Sequence, residues 1–193
     1  VLVDIATELS AQQQTTLPLN TVRRICHEHL GGNQPDLVEW LVGENLLYHD
    51  REVRFAADAF GDSEDVIGIA FERLRDYLVA RALGNARSIG SNGDAHLPDE
   101  VDSMVGDEAG LRRHHGIVEF LSILLPETLG TELIDFPVSE ATADEVLRLT
   151  VGNLQWRDSN FFTDRTAELL SAALDSDHAP LKATAFGAAL ALA

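Results

Sequence analysis

Residues 65–83 read DVIGIAFERLRDYLVARAL. Val66, Ile67 and Ile69 stand in a short apolar run rich in β-branched side chains. Phe71, Leu74, Leu78 and Ala82 then recur at three- and four-residue spacing. The first pattern predicts a buried strand and the second an amphipathic helix that the strand feeds directly. Glu72, Arg73, Asp76 and Arg81 fall on the other face, so this helix is expected to rest on a core and to show a polar side to water or to a neighbouring domain. No group in the stretch performs chemistry.

Upstream, Leu2, Ile5, Ala6 and Leu9 share one helical face, and the polar residues 10–16 break it. Asn20 is the expected N-cap of a helix over 21–30, in which Val22, Ile25, Cys26, His29 and Leu30 form one stripe before Gly31-Gly32 stops it. Pro35 suits the first turn of a third helix carrying Leu37, Val38, Trp40, Leu41 and Val42, with Gly43 as its end. Residues 46–49 and 53–55 flank Asp50-Arg51-Glu52 in a hairpin pattern, and the 65–70 run adds a further strand. Three helices followed by a hairpin wing form a winged-helix plan, expected over 1–84.

Residues 85–110 are rich in Gly, Ser, Asn and Asp, the composition of a flexible linker. A helical domain is expected over 111–193. Its first helix runs over 111–125 with Ile117, Phe120, Leu121, Leu124 and Leu125 inward, and Pro126 ends or kinks it. A helical turn is expected at 132–136. Thr142 and Glu145 have capping-box spacing for a helix over 143–153, Phe161-Phe162 precede another through Leu174, and Pro180 begins the last. The chain opens on Val1 and closes on the uncapped apolar stretch 183–193, which reads as a fragment truncated at its C-terminal end. The expected class is mainly α: a winged-helix module with a small β wing, followed by an α-helical bundle or repeat-like segment.

The formal net charge is −18, from 14 basic and 32 acidic residues spread along the whole chain. Such a field repels phosphate backbones and anionic lipid, which argues against unaided nucleic-acid or membrane binding. Cys26 is the sole cysteine, so an internal disulfide is excluded, and no apolar run reaches the roughly 20 residues of a membrane span. A cytoplasmic setting is the expectation.

A winged helix suggests DNA reading by its third helix. Here that helix and its end carry Asp36, Glu39 and Glu44 with no Lys or Arg, while Leu37, Trp40 and Leu41 look like packing residues. His115 and Glu119 share a helical face, but two ligands make no metal site, and Cys26 with His29 reads as part of a buried stripe. No Ser-His-Asp constellation, GxxxxGK[ST] or strand-borne GxGxxG is present. No catalytic, cofactor or metal residue is therefore assigned, and the chain is not expected to be an enzyme. Glu72, Arg75, Asp76 and Arg81 could form a charged network on the central helix.

The strand-to-helix run, with Phe71-Glu72-Arg73-Leu74-Arg75-Asp76-Tyr77-Leu78-Val79-Ala80, resembles the close of the winged helix in signal-transducing STAND NTPases, particularly NACHT-type and AVAST-like bacterial members. There an apolar strand and an aromatic residue precede a helix of the type ERxxDxLxA. Residues 116–136 (GIVEFLSILLPETLGTELIDF) and Leu154-Gln155-Trp156-Arg157-Asp158 are similar to the helical region that follows it. The resemblance implies an ATPase core preceding this segment, with ATP and magnesium bound there, a winged helix packed on that core at rest, and in many bacterial members a role in anti-phage defence. The chain departs from the family in lacking the Walker motifs, and none of its histidines matches the nucleotide-contacting histidine of some relatives. The implied partners are neighbouring domains of the same polypeptide and a homo-oligomer of the parent. The contact residues expected are Glu72, Arg73, Asp76 and Tyr77, with Trp156 and Arg157 as a second patch; Tyr77 and Trp156 read equally as core aromatics. The alternative is an acidic winged-helix transcriptional regulator that binds DNA with a partner.

Overall fold

A computed structural model describes residues 1–12, 14–30, 37–54, 62–86, 88–89, 95–96 and 99–193. The fold is mainly helical with a small three-stranded antiparallel sheet. The chain separates into two units, Val1–Ala82 and Leu83–Ala193.

In the first unit the order is α1 (Leu2–Ala11), β1 (Thr16–Pro18), α2 (Leu19–Leu30), α3 (Leu37–Gly43), β2 (Leu47–Arg54), β3 (Asp62–Ile69) and α4 (Glu72–Asn85), which runs past the division between the units. The sheet order is β1-β3-β2. Thr16 pairs with Gly68 and Pro18 with Val66 on one side of β3; Leu47 pairs with Ile69 and Arg54 with Asp62 on the other. As the central strand, β3 buries consecutive residues: Val66, Ile67 and Ile69 are each at most 5% exposed, which is why this stretch shows an unbroken apolar run instead of alternation. Ile5, Ala6 and Leu9 of α1 and Val22 and Ile25 of α2 supply the helical side of the core.

Three expectations change here. β1 was read as a polar break and a short apolar step; three residues this short become a strand only by pairing with β3. Asp50-Arg51-Glu52 is not a turn: β2 runs straight through it, because an edge strand facing water tolerates charge. Gly43 is the last residue of α3, as expected, but the closure is made by the residues after it. Glu44 follows, and Asn45 takes the left-handed conformation (φ 57°) while Asn45 N–H donates to the Val42 carbonyl and Leu46 N–H to that of Leu41, the Schellman closure. Phe71 lies outside the core, 56% exposed, and its carbonyl accepts the N–H of Arg75 to open α4. The expected stops at Gly31-Gly32, the start at Pro35 and the strand residue Phe55 lie outside the described residues.

One glycine in this sheet is needed for its neighbour's sake. Tyr48 is paired with Gly68, and a Cβ on Gly68 would sit 2.4 Å from Tyr48 Cζ, so the bare glycine provides the floor on which the ring lies.

The second unit contains a two-residue ladder, β4 (Ser88–Ile89) with β5 (Ala95–His96), then α5 (Asp99–Val105), α6 (Glu108–Arg113), α7 (His115–Leu129), α8 (Ala143–Gly152), α9 (Asp164–Asp175) and α10 (Ala179–Leu192). Three 3-10 turns lie between the last helices, at Leu133–Asp135, Asn153–Trp156 and Ser159–Phe161. The latter part of the expected linker is therefore helical: Val101, Met104 and Val105 bury one face of α5, and Asp107 caps α6 by accepting the N–H of Gly110 at 2.7 Å. The expected helix over 111–125 divides at His114, and Pro126 does not end α7, which continues to Leu129 and stops at Gly130 in the left-handed region (φ 66°). The expected Thr142–Glu145 capping box is absent. Thr142 instead donates from its hydroxyl to the Val105 carbonyl, while Glu145 pairs with Arg148. The capping box forms at Thr163 and Thr166, at the start of α9.

Val151, Ala173, Leu181, Ala185 and Ala188 make the core among α8, α9 and α10, with Leu147, Leu170 and Leu174 against it. Three alanines in that cluster let α10 approach its neighbours closely.

Candidate interaction surface

The arrangement with the most consequence in the second unit begins at Pro126. A proline within a helix has no N–H for the carbonyl four residues back, so the Ser122 carbonyl of α7 is left without its helical partner. Ser122 is fully buried, and water cannot satisfy it. Arg157 does so: its Nη2 donates to the Ser122 oxygen at 2.7 Å.

The guanidinium is itself held by Glu132, through Nη1 to Oε1 at 2.6 Å and Nη2 to Oε2 at 3.0 Å, a two-pronged pair with side chains 0% and 3% exposed. Thr166 Oγ1 donates to Glu132 Oε1 at 2.7 Å and so ties in the start of α9. Asn153 Nδ2 donates to Ser122 Oγ at 2.9 Å and to the Glu119 carbonyl at 3.3 Å. Arg157 Nε is the buried side-chain polar atom that has no partner among the described residues.

These bonds fix both ends of a short outward excursion. Asn153 and Arg157 point inward and are buried, whereas Gln155 and Trp156 between them face out, and Trp156 is 70% exposed. The 3-10 turn at Asn153–Trp156 makes this reversal: one residue later, at Arg157, the backbone is extended (φ −93°, ψ 139°) and the side chain swings back into the interior. A large aromatic residue is therefore displayed by a backbone anchored from beneath.

The sequence-expected contact residues separate accordingly. Trp156 lies on the surface, not in a core, so its reading as a core aromatic is overturned. Arg157 is removed from the surface patch to which it was assigned, because its charge is spent inside the unit. On α4, Glu72 and Arg73 are exposed, Tyr77 is half-buried, and Asp76 is only 8% exposed. Arg75 donates to Asp76 Oδ1 at 3.2 Å and to Glu72 Oε1 at 3.5 Å, and Arg81 Nη1 lies 3.5 Å from the Tyr77 hydroxyl. Glu72, Arg75 and Asp76 of the expected network thus do interact on this helix, with Asp76 on its inner side. Glu132 and Ser122, which with Pro126 carry the buried arrangement, were not singled out as functional from the sequence; the single clue was Pro126, expected to end or kink its helix, placed where the helix had every reason to continue.

In the first unit Trp40 is a second displayed aromatic, 57% exposed between the exposed Glu39 and Gly43 on α3, and not the packing residue expected. His29 is also exposed and pairs with Asp4 at 3.0 Å, while Cys26 of the same helix is buried, and that burial pushes its thiol pKa up. His115 Nδ1 and Glu119 Oε2 are 4.0 Å apart, and among the described residues no group of three or more His, Cys, Asp or Glu is placed to hold a metal ion. No helix among the described residues is long and apolar enough to cross a membrane.

No protein-family model matches this chain, and no curated protein or solved structure does either.

Proposed function

We propose that the chain is a non-catalytic regulatory segment of a multidomain STAND-type NTPase of the NACHT-like, AVAST-like bacterial kind, with a winged helix over 1–84 and a helical domain after it. It works in the cytoplasm by contact with neighbouring domains of its own polypeptide, coupling nucleotide state or ligand sensing to assembly, and a part in anti-phage defence belongs to the same reading. ATP and magnesium act in the preceding core of the parent protein and not in this segment.

The observation that supports the proposal is the order helix, strand, helix, helix, strand, strand with sheet order β1-β3-β2, which is compatible with a winged-helix reading. The family comes from the resemblance of the strand and helix that close it. A protein contact is favoured over DNA because α3 shows Glu39, Trp40 and no Lys or Arg. Two alternative packings of the domains, biased by nucleotide, suffice as mechanism.

The test is made on the parent polypeptide. The coding sequence before Val1 is expected to contain a Walker A and B pair within a few hundred residues, and Trp156→Ala is expected to change nucleotide-dependent assembly without altering the fold. An unrelated effector domain in that place overturns the proposal. So does tight DNA binding by the chain that weakens steeply with salt, the signature of the transcriptional alternative.

A further inference from the structure

Trp156 and Asp158 stand on either side of the buried Arg157. The backbone at Arg157 is extended (φ −93°, ψ 139°) and its guanidinium is held inside by Glu132, so the residues before and after it face out together, and both are exposed. An extended chain rises about 3.3 Å per residue, which starts the indole and the carboxylate roughly 7 Å apart on one side of the backbone. Phe161, 37% exposed, follows three residues later.

Asp158 is oriented, yet it has no counter-charge. Its Oδ1 accepts the N–H of Asn160 at 2.9 Å and its carbonyl accepts that of Phe161 at 3.0 Å, which fixes the carboxylate at the head of the 3-10 turn Ser159–Phe161. Among the described residues no cation pairs with it. The arginines nearest in sequence are already committed: Arg157 to Glu132, and Arg165 to Asp135 at 2.7 Å and Glu168 at 3.2 Å.

We propose that Trp156 and Asp158 form a recognition point for an arginine side chain on a basic segment of a protein partner. Among cationic side chains only arginine offers a flat face to an indole and, along its edge, paired N–H donors to a carboxylate. An apolar ligand would strip water from Asp158 and return no bond. An anionic one meets Asp158, the exposed Asp164 and the field of a chain of net charge −18. That same field draws a basic segment in. The recognition point rests on the reading of Trp156 as a contact residue given above, and adds the chemistry of what Trp156 meets; the family assignment plays no part in it.

The probe is a short, capped, dye-labelled peptide of alternating arginine and glycine, titrated into the full chain at about 150 mM salt and read by fluorescence anisotropy. Binding is expected to saturate and to be several-fold tighter than that of the matching lysine–glycine and leucine–glycine peptides. Asp158→Asn keeps an acceptor for the Asn160 N–H, removes the charge, and should weaken the arginine peptide about 2- to 5-fold. Trp156→Leu should weaken it by a similar factor, that of an exposed cation–π contact. Asp144→Asn removes an equal charge at the other end of α8 and should leave the affinity nearly unchanged. Equal binding of the lysine or leucine peptide, equal effects of Asp158→Asn and Asp144→Asn, or no saturation each overturn the arginine contact. Assembly of the parent polypeptide separates this contact from the function proposed above. Assembly that depends on Trp156 and not on Asp158 overturns the arginine contact alone, whereas arginine-selective binding with assembly indifferent to Trp156→Ala upholds the contact and removes the function.

Discussion

Glu132→Gln tests the buried pair most directly. The substitution keeps the volume and removes the charge, leaving the Arg157 guanidinium, 0% exposed, without a counter-charge and with the Thr166 hydroxyl facing a weaker acceptor. Breaking one side of a buried ion pair costs about 3–5 kcal/mol. Because glutamine retains one acceptor oxygen, about 3 kcal/mol is expected, equivalent to roughly 12–20 °C in the melting temperature of a unit this size. Urea unfolding followed by circular dichroism measures it, with Trp156 fluorescence in a Trp40→Phe background reporting on the second unit. A loss below about 1 kcal/mol, the worth of an exposed pair, would refute the account of Glu132 and Arg157 as an interior pair. Pro126 supplies the companion measurement. In an Arg157→Met background the Ser122 carbonyl is orphaned, and Pro126→Ala returns a helical N–H to it. That second change should therefore stabilise by about 1 kcal/mol more in the Arg157→Met chain than in the native one.

Three further outcomes are expected. Gly68→Ala should force the half-exposed Tyr48 ring off its glycine and cost about 1 kcal/mol, read as a lower melting temperature, and combining it with Tyr48→Ala should remove most of the added cost. Cys26 should resist alkylation near pH 8 until denaturant is added, because burial raises its thiol pKa; rapid labelling of the native chain would contradict the placement of α2. Glu145 has its carboxyl held below the ordinary value of 4.5, first by the hydrogen bond from Arg148, so its contribution is present above pH 4.5 and fades as pH falls through the lower folded value. Both side chains are more than a third exposed, so Glu145→Gln should lower stability at pH 7 by well under 1 kcal/mol and flatten the acid limb of a stability–pH profile.

What could be read in the sequence was what local pattern controls. The apolar β3 run and the helix behind it were legible because a central strand buries successive residues and a packed helix repeats every turn. The strands around it were not. Thr16-Leu17-Pro18 carries no strand signal of its own, and the Asp50-Arg51-Glu52 charges imitate a turn when their strand lies at an edge. In the second unit, Val101, Met104 and Val105 have helical spacing, but the surrounding Asp, Ser and Gly residues mask it. Thr142 and Glu145 have the right spacing for a cap, but Val105 and Arg148 engage them first. The Arg157–Glu132 pair was illegible because its members stand 25 residues apart and charged residues are ordinarily surface residues. Pro126 was read as ending or kinking its helix for the same reason: nothing local announces that a side chain from elsewhere will donate to the Ser122 carbonyl that it orphans. Trp156 was open to both readings, contact residue and core aromatic, because nothing local shows which way the turn at 153–156 directs its ring.

The anchoring of Asn153 and Arg157 also bears on how Trp156 would meet another surface. Immobilising a flexible loop on binding costs about 1–2 kcal/mol of conformational entropy per residue. Here folding has already imposed that ordering, through bonds from residues 153 and 157 into α7 and to Glu132. An encounter at Trp156 therefore loses little backbone freedom, and more of the contact's gross interaction survives as affinity. By the same reasoning, loosening Arg157 would weaken recognition at Trp156 without touching a single atom of the exposed ring.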